Sequence, residues 1–447
     1  VIVGNPPYSV GQRSANDNAQ NQKYEFLDSR IANTYAKEST ATLQNSLYDS
    51  YIKAFRWSTD RLDPEHGGVI AFISNGGWID GNSQDGLRKV LEREFTSIWI
   101  FNLRGNQRTS GELSRKEGGK LFGSGSRAPI VITFLVKNPA SKTDKAIIHY
   151  HDIGDYLNRE EKLAIISKFG SIANSEMKWT TLRPNKHGDW ITQRSDVFGT
   201  FIPIGDKDDK STKTFFVPYY GRGLATSRDS WCYNSSKPYL EKNINGSINY
   251  FNEQSKSFKS AKLRKPDLQL DDFIVPDSKK FSWDRAQKFD LQKFKKYNFD
   301  STSVTKSLYR PYFKQWVYFN RQLNNCVYQL PSAFPTPTSN NLVICVSGVG
   351  ATKDFSTLIT DCVPDVQVQF NGQTFPLYYY EEQDKQSPTL WDAVGESDYI
   401  RRDGVSDFIL ERAKKMYGKN VSKEDIFYYV YGILHSPEYR TTFANDL

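Results

Sequence analysis

The first 140 residues alternate between two hydrophobic patterns. Val1–Gly4 is a short apolar run read as a strand. Val69-Ile70-Ala71-Phe72-Ile73, Ser97–Leu103 and Pro129–Val136 are longer runs with little polar alternation, as expected of strands buried on both faces. Between them Leu47, Tyr51 and Phe55 recur at i, i+4 and i+8, with Tyr48 and Ile52 alongside. Leu87, Val90, Leu91 and Phe95 share one helical face. These spacings predict helices from Ser46 and over Leu87–Phe95. Asp63-Pro64, Gly67-Gly68 and Asn75-Gly76-Gly77 supply the turns. Residues 9–46 show no period and read as a long polar loop, and residues 104–127 as a Gly-rich basic loop. Strand, helix, strand, helix, strand predicts an α/β fold with a doubly wound sheet.

Beyond residue 140 the pattern becomes mixed α+β. Tyr150–Lys168 reads as helical, and composition turns more polar between about 150 and 180. The expected division is 1–165, 166–395 and a helical C-terminal segment, 396–447. Ser422 with Asp425 three residues on forms a candidate capping box opening Ile426–Leu434, and Ser436-Pro437 starts a further helix.

Composition narrows the partners. A chain of 447 residues exceeds what one core usually serves, and 14% aromatic content offsets a modest 38% hydrophobic content. The net charge is +8, and residues 255–321 carry 16 Lys and Arg against 7 Asp. A basic segment interleaved with aromatics suits a polyanion, and a solvated charged face accounts for the same numbers. Cys232, Cys326, Cys345 and Cys362 form no CxxC pair and have no histidines at metal spacing, so reduced isolated thiols and no metal are expected. No run approaches the roughly 20 apolar residues of a membrane span. A cytoplasmic protein without a membrane partner is the expectation. There is no GxxxxGK[ST] loop, so ATP binding is not expected of these residues.

Asn5-Pro6-Pro7-Tyr8, directly after the first strand, carries candidate chemistry. An exocyclic amine on a nucleobase is a weak nucleophile because its lone pair is delocalised into the ring. Two acceptors that take both amine hydrogens draw the nitrogen toward sp³ and return the lone pair. The Asn5 side-chain oxygen and the Pro6 carbonyl form such a pair, and two prolines fix the carbonyl's direction in advance. Tyr8 offers a face on which an extruded base can stack.

This tetrapeptide resembles the catalytic motif of amino-group DNA methyltransferases acting on adenine N6. HGGVIAFISNGGWIDG, FNLRGNQRTSGELSRKEGGKLFGSGSRAPIVITFLVK, HYHDIGDYLNREEKL, ATSRDSWCYN, SLYRPYFKQWVYFNR and DIFYYVYGILHSPEYR resemble the C-terminal part of type ISP restriction–modification enzymes. That family joins a nuclease, a helicase-like ATPase, an adenine methyltransferase and a target-recognition domain in one polypeptide. The resemblance implies that 1–165 is the C-terminal half of the methyltransferase domain, with a partial doubly wound sheet, and that 166–395 is the target-recognition domain. Asn5, Pro6, Pro7 and Tyr8 would form the adenine pocket. Phe122 matches the place of a second aromatic against the flipped base, and a loop-anchoring role suits it equally. Arg104, Arg108, Arg115, Lys116, Lys120 and Arg127 would lie near phosphates of double-stranded DNA, with Arg222, Arg228, Arg310, Lys314 and Arg321 in the recognition half. S-adenosylmethionine would be held mostly by residues preceding Asn5, which implies that this chain is a C-terminal portion of a longer polypeptide.

Three alternatives stay open from sequence. In a permuted methyltransferase the cofactor loop would be Ser347-Gly348-Val349-Gly350 after the run Asn341–Val346, with Asp361 or Asp365 following. The chain alone would otherwise be a DNA-recognition module, inert without its upstream half. The third is an RNA or protein methyltransferase using the same tetrapeptide, although the length and basic character of residues 180–400 favour a large DNA-reading domain.

Overall fold

The computed structural model describes residues 1–8, 22–109, 111–122, 127–206, 209, 211, 213–217, 220–275, 277, 281–348, 351, 354–383 and 398–447. The chain forms two compact units, Val1–Phe198 and Gly199–Asn445. The sequence boundary at 165 falls inside the first unit. Trp190 explains why: it is buried in the first core with its ring 5.6 Å from that of Trp78.

In the first unit β1 (Ile2–Gly4) is followed by α1 (Glu25–Ile31), α2 (Ser50–Thr59), β2 (Gly68–Asn75), α3 (Asp85–Glu94), β3 (Ser97–Arg104), α4 (Gly111–Glu117), β4 (Ile130–Lys137), β5 (Ile147–Asp152), α5 (Arg159–Phe169) and β6 (Thr180–Leu182). The six strands form one sheet in the order β1-β2-β4-β3-β5-β6. β1 runs parallel to β2 and β3 parallel to β5, but β4 lies antiparallel between β2 and β3. A wholly parallel sheet would need a crossover helix before β4. Instead the chain from β3 returns through a wide hairpin closed by the Gln107 N–H to the Arg127 carbonyl at 3.0 Å. Both faces of the sheet are covered, as the apolar runs predict. Ile98, Ile100 and Leu135 face Tyr51, Phe55, Leu87 and Leu91, while Phe101, Leu103 and Ile130 face Leu157, Ile165 and Phe169.

Two local readings are corrected. Residues 9–21 lie outside the described residues, but the rest of the expected loop contains α1, continued by a π-helical turn over Ala32–Ala36. Leu27, Ile31, Tyr35 and the small Ala36 carry its apolar stripe, which is too thin to stand out among polar neighbours. Tyr150–Lys168 is not one helix but the end of β5, a turn through Gly154 at φ +110°, and α5. Asn158 and Glu161 close a reciprocal capping box that starts α5. The basic loop also contains the short helix α4.

The second unit contains β7 (Gly221–Arg222), α6 (Asp229–Cys232), β8 (Tyr233–Asn234), α7 (Lys237–Arg264), α8 (Leu270–Phe273), α9 (Arg285–Gln292), β9 (Val304–Arg310), β10 (Phe313–Tyr318), α10 (Leu330–Ala333), β11 (Val343–Val346), β12 (Thr357–Thr360), β13 (Val363–Pro364), β14 (Gln373–Pro376), β15 (Tyr378–Glu382), β16 (Tyr399–Asp403), α11 (Asp407–Tyr417), α12 (Lys423–His435) and α13 (Pro437–Thr442). Two four-stranded sheets, β13-β9-β10-β8 and β12-β11-β14-β7, accompany the β15–β16 ladder. The Ser422–Asp425 box caps α12 and Pro437 opens α13, as expected. The helical end is not separate: Ile409, Ile426 and Phe427 share a core with Phe216, Ile344 and Phe375. Among the described residues no helix is long and apolar enough to cross a membrane.

A buried ion pair ties residues 185–194 to the first unit. Arg88, 1% exposed, donates to the carbonyls of Gly188, Trp78 and Gly81 at 2.7–3.0 Å and meets Asp189 at 3.4 Å. Burial by itself would raise the Asp189 carboxyl, but bonds from the Arg194 side chain and backbone and from Asn185 hold it down to about 2. Asp189→Asn is expected to cost about 3 kcal/mol at pH 7. Because the folded carboxyl titrates below its unfolded value, the wild-type advantage is complete above about pH 4 and is lost as pH falls through about 2. Urea unfolding of both proteins between pH 2 and 7 measures it; a constant difference across that range contradicts the assignment.

Candidate functional site

β1 pairs Ile2, Val3 and Gly4 with Ile70, Ala71 and Phe72. A Cβ on Gly4 would stand 2.9 Å from the Phe72 ring, so glycine is what lets the chain pass there. Beyond it Pro6 is buried, while Asn5 and Pro7 are exposed. The Tyr8 hydroxyl donates to Asn5 Oδ1, and burial raises the Tyr8 phenol above its ordinary value, so it is a donor at neutral pH. The Tyr8 ring stacks on Phe122 with centroids 5.6 Å apart and planes at 29°. Thus the structure joins Asn5, Pro6, Pro7, Tyr8 and Phe122 in one place.

Asn75 also belongs here, although its sequence context reads only as a turn. It ends β2, one strand over, and is buried. Its Nδ2 donates to the Tyr8 carbonyl at 3.4 Å while its Oδ1 accepts the Gly77 N–H at 2.8 Å. A polar residue closing an apolar run beside the motif strand was the available signal.

The segment carrying Phe122 is pinned from below. Lys162, buried on the second turn of α5, donates to the carbonyls of Glu117 and Gly119 at 2.8 and 3.0 Å. Arg159 Nε donates to the Leu121 carbonyl at 2.9 Å. Gly105 N–H shares the Glu117 carbonyl at 3.1 Å, and Gly119 N–H bonds the Leu157 carbonyl at 2.9 Å. Neither Gly118 nor Gly119 has space for a Cβ, which would lie 2.1 Å from the Leu157 carbonyl oxygen or 2.8 Å from the Arg159 nitrogen.

The loop cations divide into two groups. Arg104 is bonded to Asp152 at 2.7 Å and Asp155 at 2.5 Å, and Arg115 to Glu112 at 2.6 Å. Arg108, Lys116, Lys120 and Arg127 have no carboxylate partner among the described residues. In the second unit Arg310 is paired with Asp365 at 2.9 Å and Lys314 with Asp361 at 2.6 Å. Arg222 donates to Asn371 Oδ1 at 2.9 Å and lies over the Tyr328 ring. Arg321 is exposed beside a cleft of about 410 Å³ that also contains Asp300, Asn320 and Thr336.

Arg228 corrects an expectation. It is 5% exposed and donates to the carbonyls of Leu323 and Ser282, to Asp284 at 2.6 Å and to Gln287 at 2.8 Å. A guanidinium consumed by four internal acceptors is not presented to DNA. The loop of the permuted reading is described at Ser347 and Gly348. β11 is antiparallel to both β12 and β14, and a Cβ on Gly348 would stand 1.9 Å from the Asn371 carbonyl. Gly348 is a glycine of close backbone packing. Val349 and Gly350 lie outside the described residues.

Residues 215–447 match the family described as the type ISP C-terminal specificity domain. The chain belongs to that family. Its specificity domain therefore spans nearly all of the second unit. Solved structures that resemble the whole chain include the following three. A nuclease-deletion mutant of the type ISP restriction–modification enzyme LlaGI, in complex with a DNA substrate mimic, is 38% identical with a TM-score of 0.77. The ATP-dependent type ISP enzyme LlaBIII bound to DNA is 34% identical with a TM-score of 0.78. The DrdV–DNA complex is 32% identical with a TM-score of 0.78. Each is matched over 100% of this chain but over only 32%, 27% and 41% of its own length, so the chain spans about a third of these relatives. No curated protein sequence matches it.

Within the specificity domain, Arg228→Ala is expected to destabilise the second unit by about 3–5 kcal/mol, because it removes from a buried network the donor shared by Asp284 Oδ2, Gln287 Oε1 and the Leu323 and Ser282 carbonyls. Thermal unfolding checks this, and an unchanged transition would contradict the structural role.

Proposed function

We propose that this chain is the catalytic-motif and target-recognition part of a site-specific DNA adenine-N6 methyltransferase within a larger restriction–modification polypeptide. The observation that carries the reading is the cluster at the end of β1: Asn5 and the proline pair beside a Tyr8 ring stacked on Phe122. Likeness to type ISP enzymes seen with DNA supports the DNA context, and the basic residues Arg108, Lys116, Lys120 and Arg127 support phosphate contacts beside the cluster. In this reading Asn5 Oδ1 and the Pro6 carbonyl accept the two amine hydrogens of an extruded adenine. The Tyr8 hydroxyl now holds the Asn5 oxygen and would yield it to the amine. A base between Tyr8 and Phe122 needs roughly 7 Å, so the rings, 5.6 Å apart, must part to admit it.

The proposed methyl donor is S-adenosylmethionine. Among the described residues the one glycine turn resembling a cofactor loop, at Ser347–Gly348, lies in an antiparallel hairpin and does not fit it. In this proposal the donor is held by other parts of the intact polypeptide, with Asn5 adjacent. This favours a chain that recognises DNA but does not methylate it alone, joined in the intact enzyme to nuclease and helicase-like ATPase domains.

Asn5→Ala in the intact enzyme should lower DNA methylation by about 10²–10³-fold, the weight of a preorganised acceptor, while DNA affinity stays near wild type. Methyl-transfer assays with labelled cofactor, alongside DNA-binding titrations, test it. Retained methylation, or loss of methylation and binding together, would count against the role.

A further inference from the structure

Phe122 leaves a segment with little regular structure, yet its ring meets Tyr8 in a defined stack. Side chains from the start of α5 account for this. The Lys162 ammonium, with the whole residue buried, spends two hydrogen bonds on the Glu117 and Gly119 carbonyls, and Arg159 takes the carbonyl of Leu121, directly before Phe122. Filling that space would need only an apolar side chain, and burying an ammonium is costly unless its donors are used. A lysine there makes sense where loop carbonyls must be held at fixed points. Its charge also lies beside the end of β3, where a Cβ on Gly105 would be 3.7 Å from Nζ, so strand end, loop and helix meet at one cation.

We propose that Lys162 is a positioning residue for the adenine clamp: by anchoring residues 117–121 it sets where Phe122 stands against Tyr8. Arg159 assists from the surface. Phe122 then pivots on a fixed backbone when the base is admitted, and the loop itself does not have to be ordered at that moment. This rests on the methyltransferase reading given above.

The test uses the intact enzyme with two DNAs: one with 2-aminopurine at the target adenine, whose fluorescence rises when the base leaves the stack, and an unmodified one for methylation, since 2-aminopurine has no N6 amine. Lys162→Met should lower the flipped-base signal and slow methylation by about 10²-fold, the scale of a displacement near 1 Å, with DNA affinity little changed. Arg159→Ala, on an exposed residue that cannot collapse the core, should act in the same direction by about 5- to 10-fold, and it decides the matter if Lys162→Met does not fold. Phe122→Ala completes a double-mutant cycle. If the anchor acts through Phe122, adding Lys162→Met or Arg159→Ala to Phe122→Ala brings little further loss. Fully multiplicative losses, or wild-type signal in the single variants, overturn the proposal. Asn5→Ala run in parallel separates the two readings. Normal methylation by Asn5→Ala removes the methyltransferase assignment, whereas an inactive Asn5→Ala beside an unaffected Lys162→Met removes only the positioning role.

Discussion

Ile2, Val3 and Gly4 run parallel to Ile70, Ala71 and Phe72, and both strands end at the same edge of the sheet. Everything at the candidate site follows from that pairing. It delivers Asn5 where β1 stops, brings Asn75 at the end of β2 against the Tyr8 carbonyl, and depends on the missing side chain of Gly4 above the Phe72 ring. The antiparallel insertion of β4 then sends the chain back from β3 through the loop that carries Phe122 toward the same edge. A reaction that needs acceptors fixed before the substrate arrives is served by strand ends, because a sheet resists displacement more than a loop does.

Part of the positive charge in this protein is internal scaffolding. Arg56, Arg88, Lys162 and Arg228 are all buried, and each is spent on carbonyl oxygens or carboxylates of segments distant in sequence. Long cationic side chains with several N–H groups can gather acceptors from irregular backbone, which apolar side chains cannot do. A basic composition therefore overstates the charge available to a polyanion. The cations left for one are fewer, and in the basic loop they are Arg108, Lys116, Lys120 and Arg127.

The continuous apolar runs and the i, i+4 stripes were legible because burial on both faces of a sheet and on one face of a helix imposes those periods directly. The helix over Glu25–Ile31 was not, since buried Ile31 and half-buried Leu27, with Tyr35 in the turn that follows, sufficed to dock it. The division of the chain near residue 198 was hidden as well, because it depends on Trp190 and Asp189 finding partners a hundred residues earlier. Of the site, the tetrapeptide announced itself through the chemistry of its residue types. Asn75, Arg159 and Lys162 did not, because nothing local distinguishes a polar residue that reaches a carbonyl from one that faces water.

What the sequence by itself determined is thus the set of residue types gathered at the end of the first strand, the type of most elements around it, and the caps of the C-terminal helices. These rest on interactions within a few residues, which local spacing records. Only the tertiary structure decided that β4 lies antiparallel, that Phe122 stacks on Tyr8, that Gly348 serves packing and that Arg228 is interior. Each depends on a contact between segments far apart in the chain, where the deciding quantity is distance in space and leaves no periodic trace in the order of residues.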